Sequence, residues 1–571
     1  MDSRLLRKIF LTGFLIIFFS LFYYQVLKGE YYLERAKNNY VRVIPTFSIR
    51  GEIYDRNGIA LAYDRPSFQI SVIPYQIDQK KEMLFTEIAE RLGLDPQKIM
   101  RAYKKNRMNM FTPVKIIPDI EKFEAVQLKN EFSEDIMITP QPQRFYPYQA
   151  AAAHLLGYVK KASSFYETLK RYGYTPLERA GFKGIEQYYD TYLKGQDGGD
   201  LIEVNAKGRM VGFLGERKPE RGKSITLTID AHIQQAAYDA LEGKTGTLLF
   251  MEADSGKMLA LVSRPAFDPH AFITGEGLGS IMKNEKKPLL NRTVQATYPL
   301  GSTFKPIVGY AGLAEKKIRP GTTFRCDGVF KVGIARFRCW SRHGTQDLYE
   351  ALAHSCNVYF YNLGLLLGGE KIARWAKAFG LDSRTHIDLP HEKKGTVPGP
   401  QWKARTLHST WYKGDTVNYS IGQGYFEATP LQVLVATNVF ATGGYLVRPH
   451  LLHKVEDEIS GADKREYLRL NPDHLETIVE GMRQVVTAEE GTARQLRSLH
   501  IGMCGKTGTA QTSGPNHGWF VGFFPYQRPH YTICVFLEHG ESSYEAVKVS
   551  YRFLKILQEK NLFSQREAPA L

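Results

Sequence analysis

Cysteine is scarce in this chain, with five among 571 residues, and a number that small and odd excludes a disulfide scaffold. Long apolar runs are scarcer. Only Ile9 to Leu27 (IFLTGFLIIFFSLFYYQVL) is both free of charge and predominantly apolar over such a length, so a multi-span membrane protein is excluded. Acidic residues are outnumbered, 59 against 75 basic ones, and the net charge of +16 points to anionic partners: nucleic acid, an anionic lipid surface or a pyrophosphate-bearing substrate. With 43% apolar and 23% charged residues, neither a disordered nor a collagen-like chain is compatible with the composition. The length calls for several domains.

The single apolar run would span about 28 Å as a helix, close to the thickness of a bilayer core. It reads as an uncleaved anchor over 9–27 behind a tail over 1–8, because Gln25 to Glu30 offers no small-x-small cleavage site. Arg4, Arg7 and Lys8 precede it, and Lys28, Arg35 and Lys37 follow it, so flanking charge gives no orientation.

Between Lys28 and Arg221 no nucleophile motif stands out. Phe68 to Ile73 alternates as a strand does, Lys80 to Leu92 has helical spacing, and Arg50 to Gly58 (RGEIYDRNG) reads as a strand entering an Asn-Gly turn. Tyr and Pro crowd Arg144 to Tyr148, a pattern of loop packing more often than of a ligand groove. The region over 28–220 is expected to be a structural spacer. From 221 to 571 the texture changes. Lys223 to Ile229 alternates, Asp230 is placed to cap a helix, and Thr247 to Glu252 with Met258 to Val262 reads as a hairpin. Trp519 to Phe524 and Tyr531 to Leu537 are two further strands near the other end. Strands at both ends with helices between predict an α+β domain built on a mostly antiparallel sheet.

Three short motifs carry chemistry. In Ser302-Thr303-Phe304-Lys305 the serine sits at a helix start, and Pro306 is tolerated in a first turn. At this spacing the Lys305 amine shares a face with the Ser302 hydroxyl and takes its proton once burial lowers the amine pKa. Ser280 and Lys283 repeat the spacing, so the pair alone proves little. Ser355-Cys356-Asn357 supplies a hydroxyl for proton relay and an amide to hold a carbonyl. Lys506-Thr507-Gly508-Thr509 follows it and leads to a neighbouring strand, whereas Lys244-Thr245-Gly246-Thr247 precedes every candidate serine. Ser-x-x-Lys, Ser-x-Asn and Lys-Thr-Gly in this order are the signature of penicillin-recognising serine enzymes.

Nearly the whole chain resembles the class B penicillin-binding proteins of the elongation type. The matching stretches are the anchor, Arg50 to Gly58, Gly184 to Gly195, Asn291-Arg292, Tyr298 to Pro306 (YPLGSTFKP), Trp411 to Gly424 (WYKGDTVNYSIGQG), Thr429 to Gln432 and Gly505 to Ala510 (GKTGTA). Leu300 stands where many such proteins carry proline. The resemblance implies an elongated, dimerisation-type pedestal under a transpeptidase domain whose five-stranded antiparallel sheet is flanked by helices. It places the amino terminus in the cytoplasm and the bulk outside the cytoplasmic (inner) membrane, in a periplasmic-type compartment. The implied activity is that of a D,D-transpeptidase cross-linking peptidoglycan during cell elongation and inhibited by β-lactams. Ser302 would attack the bond between two terminal D-alanines, with Lys305 as base. Ser355 and Lys506 would pass the proton onward, Asn357, Thr507 and Thr509 would hold the peptide beside Gly508, and the Ser302 and Thr509 amides would form the oxyanion hole. Acyl transfer of this kind needs no cofactor. The implied partners are the lipid-linked precursor and glycan strands, a membrane-embedded glycan polymerase and scaffold proteins of the elongation complex; nucleic acid is not among them. The same motifs also serve carboxypeptidases and β-lactamases, which pass the acyl group to water, and a non-catalytic penicillin-binding scaffold or sensor would retain them as well.

Cys326, Cys339, His343 and Cys356 form Cys-x12-Cys-x3-His-x12-Cys, a ligand set suited to structural zinc. A Cys326–Cys339 disulfide, free buried thiols, or His354 in place of His343 are the alternatives. Cys504 and Cys534 read as core residues.

Overall fold

A mostly apolar run without proline forms α1 (Ser3–Phe22), which continues as a π-helical turn over Tyr23–Leu27. In the computed structural model, which describes residues 3–107, 110, 113–162, 179–204, 210–459 and 464–563, the apolar window within Arg4–Leu27 has a mean hydropathy of 2.0 and no buried residue. The helix begins inside the segment read as a tail, because Arg and Lys are themselves good helix formers.

Contacts divide the chain into two units, and the division is not a single cut at 220. The smaller holds the described parts of Met1–Gly51, Asp64–Arg144 and Lys194–Gly222; the larger holds those of Glu52–Tyr63, Phe145–Leu193 and Lys223–Leu571. Hydrogen bonds within the larger unit explain why pieces of the spacer region belong to it. Ile53–Tyr54 pairs in parallel with Ile225–Leu227, the Asp55 carboxylate accepts from the Ala231 amide at 3.0 Å, and the Gln234 side chain donates to the Ala151 carbonyl at 2.8 Å.

The smaller unit contains a three-stranded antiparallel sheet of Val41–Thr46, Gly198–Val204 and Met210–Arg217. It also contains a separate core in which Leu84, Phe85 and Ile88 of helix Lys81–Leu92 meet Ile99 and Tyr103 of helix Pro96–Asn106 and Ile116 of strand Val114–Ile120. Gly93 ends the first helix in the left-handed conformation (φ 62°), and Asp95 caps the second by accepting from the Gln97 amide. Arg144 is buried and lies 3.5 Å from Asp64, so the Arg144 to Tyr148 stretch begins as packing.

In the larger unit Asp230 caps α2 (Ala231–Ala240), accepting from the His232 and Ile233 amides. The sheet then begins with β1 (Gly246–Glu252) and β2 (Met258–Arg264), and helices fill the chain before it resumes: α3 (Lys305–Ala314), α4 (Leu348–Ala353), α5 (Asn357–Leu367), α6 (Pro430–Ala441) and α7 (Pro472–Thr487). It is completed by β3 (Cys504–Ala510), β4 (His517–Phe524) and β5 (Tyr531–Leu537), and α8 (Ser543–Glu559) packs across them. The strand order is β2-β1-β5-β4-β3, antiparallel throughout, as an α+β reading predicts. Side-chain alternation sorts these strands between two cores. Phe250, Phe520, Ile533 and Val535 face α2 and α8, while Leu249, Trp519, Val521 and Phe536 join the core that holds α3 to α6. Cys504 and Cys534 are fully buried in the second of these, in agreement with their reading as core residues.

Candidate active site

The site forms where the start of α3, the α4–α5 turn and the edge strand β3 converge. Gly301 (φ 57°) opens a 3-10 turn over Gly301–Phe304, and its amide donates to the Gly422 carbonyl at 2.9 Å. A side chain there would meet the Thr509 carbonyl oxygen at 2.9 Å, so the close approach requires glycine. Phe304 anchors the turn in the core against Tyr419 and Phe426. This fixes Ser302 at the surface of the turn and Lys305, fully buried, at the first position of α3.

The Lys305 amine donates to the Ser355 carbonyl at 2.7 Å and to Asn357 Oδ1 at 2.7 Å, and it lies 3.4 Å from Ser355 Oγ. The Lys506 amine, also fully buried, is 2.8 Å from the same Ser355 Oγ and 3.1 Å from the Thr507 carbonyl. Ser355 is therefore held between two amines. Its backbone is in the left-handed region (φ 54°), a conformation that costs a non-glycine residue about 1–3 kcal/mol and is sustained by these contacts. Among the described residues, Ser302 Oγ makes no hydrogen bond. The expected Lys305–Ser302 contact is not formed, because oxygens of Ser355 and Asn357 already occupy the amine.

Neither amine has a carboxylate beside it, which governs their titration. Burial pushes Lys305 down to about 8, with the cysteine sulfurs nearby opposing the shift. Lys506 is driven well below its ordinary value, by burial first and then by the Lys305 charge.

Gly508 brings β3 against the serine turn. A Cβ there would stand 2.9 Å from Thr303 Cγ2 and 3.1 Å from the Leu300 carbonyl oxygen. The Thr507 hydroxyl is 2.7 Å from that of Thr492, and Thr509 Oγ1 accepts from the Ser543 amide at the head of α8. Thr492 escaped sequence reasoning, since nothing in its spacing marks it. It lines a polar cleft of about 830 Å³ with Trp340, Arg342, His354, Glu490 and Tyr544.

Both decoys lie elsewhere. Ser280 is exposed and donates to the Gly277 carbonyl, with Lys283 in solvent. Lys244 forms a half-exposed ion pair with Glu545 at 2.8 Å.

The Cys/His cluster is brought together. The ligand atoms of Cys326, Cys339, His343 and Cys356 lie within 4.8 Å of one another, with His343 Nδ1 3.5 Å from both Cys326 Sγ and Cys339 Sγ. All five cysteines are free thiols, and His354 turns away to Gln346 Oε1 at 2.7 Å. Hydrogen bonding between Cys339 and Cys356 drives the Cys339 thiol far down and the Cys356 thiol up. The cluster touches the site through the Asn357 amide, which donates to Cys339 Sγ at 3.2 Å.

Residues 246–558 match the family model for the penicillin-binding protein transpeptidase domain, and residues 45–227 match that for the penicillin-binding protein dimerisation domain. The chain belongs to the penicillin-binding protein transpeptidase family. The peptidoglycan D,D-transpeptidase MrdA of Haemophilus influenzae is 31% identical, over 93% of this chain and 87% of that protein. Among solved structures, the penicillin-binding protein PBP2 of Helicobacter pylori, in complex with MreC, superposes with a TM-score of 0.79 at 30% identity, covering 92% of this chain and 99% of that one. A chain from a peptidoglycan synthase complex that coordinates polymerization and crosslinking gives a TM-score of 0.74 at 27% identity, covering 99% of this chain and all of the other. The transpeptidase match holds Ser302, Lys305, Ser355, Asn357 and Lys506, and the dimerisation match covers most of the stretch in which the sequence shows no nucleophile motif.

Proposed function

We propose that this chain is a peptidoglycan D,D-transpeptidase in which Ser302 is the nucleophile, and that β-lactams acylate the same serine. The observation that carries the assignment of roles is the pair of buried amines converging on Ser355 Oγ without a counter-charge. An amine in such a place is readily neutral and acts as a base. Ser302 Oγ attacks the carbonyl between the two terminal D-alanines as its proton moves to Lys305 Nζ. The C–N bond then breaks, leaving an ester on Ser302, and the departing D-alanine amine takes up the proton that Lys305 accepted, passed on through Ser355 Oγ with Lys506 Nζ hydrogen-bonded beside it. In the second half an amine of a neighbouring stem peptide attacks the ester and returns the proton along the same path. The Ser302 and Thr509 amides lie where the turn and β3 approach and serve as oxyanion donors. Asn357 and Thr507 to Thr509 align the peptide.

The single apolar helix supports a single-pass membrane anchor, and the family resemblance supports an amino terminus in the cytoplasm with the chain after the anchor outside. Likeness to the chain from a synthase complex and to the MreC-bound PBP2 supports a glycan polymerase and an elongation-complex scaffold as partners. The Cys326, Cys339, His343 and Cys356 donors suit a zinc ion. Bound there, zinc would tie the Cys326–His343 segment to the Ser355–Asn357 turn as a brace and take no part in acyl transfer.

Mass spectrometry of the protein after incubation with penicillin tests the assignment. A long-lived adduct on the Ser302 peptide, absent in Ser302→Ala and retained in Ser280→Ala, is expected. Labelling that survives Ser302→Ala would sink it, and rapid loss of the adduct to water would indicate a β-lactamase.

A further inference from the structure

Beside the active site stands a hairpin of two strands, Val329–Val332 and Ala335–Arg338, paired antiparallel with Lys331 opposite Arg336 and Val329 opposite Arg338. Alternation puts Val329, Lys331, Arg336 and Arg338 on one face, where Val329 is exposed beside the three cations. Phe330, Val332 and Phe337 turn inward onto the core, and both phenyl rings contact Tyr361 of α5. Lys331, Arg336 and Arg338 share the outer face and are all exposed. Like charges directly across a strand pair are destabilising, and here the cross-strand pair is extended by a third cation two residues along. Among the described residues none of the three forms an ion pair, and the neighbouring Asp327 is already engaged by Arg325 at 3.0 Å. Folding alone gives no reason for this arrangement. The hairpin is moreover fastened to the catalytic turn, since the Arg338 carbonyl accepts from Asn357 Nδ2 at 3.3 Å and from the Tyr361 hydroxyl at 3.2 Å.

We infer that the outer face of this hairpin, Lys331, Arg336 and Arg338, is a binding surface for a carboxylate-bearing polymer, namely the uncross-linked stem peptides of a glycan strand. The inference rests on the transpeptidase reading and adds a second contact with the same substrate. A donor peptide ends in a free D-alanine carboxylate, and a strand repeats that charge at every uncross-linked stem. Three cations on one rigid face, fixed to the turn that holds Asn357, fit repeated carboxylates and would keep a strand at the enzyme between successive transfers. Each exposed ion pair is weak, but several on one polymer act together.

The experiment measures cosedimentation of the full chain, acylated with penicillin so that the active site is blocked, with purified uncross-linked peptidoglycan strands at low and high salt. Lys331→Gln/Arg336→Gln is expected to bind about tenfold more weakly and to lose most of the salt dependence, while Lys331→Arg/Arg336→Lys binds as wild type. The rate of penicillin labelling should be equal in all three proteins, which also reports their folding. Strand binding unchanged in the double glutamine variant would overturn the inference. Should that variant fail to fold, acylated wild type supplies the answer from the ligand side: strands whose carboxylates have been amidated should bind about tenfold more weakly, and equal binding overturns it. Hairpin-dependent binding to phosphatidylglycerol vesicles but not to strands would overturn it in favour of a lipid surface. Failure of wild type to be labelled by penicillin would instead remove the transpeptidase reading, an outcome distinct from any of these.

Discussion

Two segments of the larger unit carry Ser-x-x-Lys, and they share only the spacing. In Ser280–Lys283 the hydroxyl donates one turn back to the Gly277 carbonyl and the lysine side chain is exposed to water. In Ser302–Lys305 the lysine is fully buried among neutral oxygens and is pushed down to about 8. The two Lys-Thr-Gly segments differ in the same way: Lys506 is fully buried against Ser355 Oγ, whereas Lys244 reaches Glu545 at the surface. A lysine becomes a base where burial opposes its charge and no carboxylate restores it. The motif fixes which groups are neighbours, and the fold around it fixes their protonation.

The largest effect should come from removing one lysine of each pair. Lys305→Ala is expected to slow penicillin acylation about a thousandfold, the scale of a lost general base, while Lys283→Ala stays within about twofold. Acylation rates from stopped-flow competition would measure both, and similar losses in the two variants would dissolve the distinction.

The glycines separate the Lys-Thr-Gly segments next. Gly508→Ala sets a methyl 2.9 Å from Thr303 Cγ2, at the turn that carries Ser302, and should slow acylation about a hundredfold by misplacing that serine. Gly246→Ala sets one 2.0 Å from the Phe536 carbonyl oxygen inside the sheet. That change should lower the melting temperature by more than Gly508→Ala does, with acylation of the folded fraction largely retained. Thermal unfolding and acylation rates on the two variants form a cross-check, and it fails if both move together.

A smaller effect is expected from pH. The Lys305 amine must be neutral to accept the serine proton, and its neutral fraction grows as pH rises toward about 8. Acylation should therefore climb by about tenfold per pH unit at low pH and flatten above that value. A rate flat from acid to alkaline pH would mean that Lys305 is not the titrating base.

Much of this was legible beforehand, and the parts that were not have a common cause. Trp519 to Phe524 and Tyr531 to Leu537 mark sheet strands because a strand packed on both faces reads as a short continuous apolar run, and both are buried almost throughout. Motif order alone told Lys506 from Lys244. The division of the chain was not legible, because Ile53–Tyr54 and Phe145–Leu193 join the larger unit through pairings such as Ile53 with Ile225, and long-range register leaves no local mark. The geometry around Lys305 was hidden for a similar reason. Helical spacing aims it at Ser302, but the left-handed turn at Ser355 offers a closer carbonyl and Asn357 a closer amide oxygen. Thr492 reaches Thr507 from a loop with no motif of its own.

The Cys/His cluster sharpens the comparison by asking whether the surroundings of a motif are themselves held by a metal. Cys356 lies between Ser355 and Asn357, and the Asn357 amide donates to Cys339 Sγ, so slack in the cluster is transmitted to the turn that receives both amines. Cys339→Ser keeps the size and the hydrogen-bonding capacity of the side chain but removes a thiolate ligand. We expect the wild type, purified without chelator, to carry about one zinc per chain and the variant to carry little. The melting temperature should fall by about 5–10 °C, as loss of a few kcal/mol of metal-linked stability implies, while acylation of the folded variant slows by only a few fold, because the metal takes no part in acyl transfer. Elemental analysis and thermal unfolding of the two proteins decide it. A metal-free wild type with the melting temperature of the variant would leave the cluster as packed thiols, and the Ser355 turn would then owe its shape to its two lysines alone.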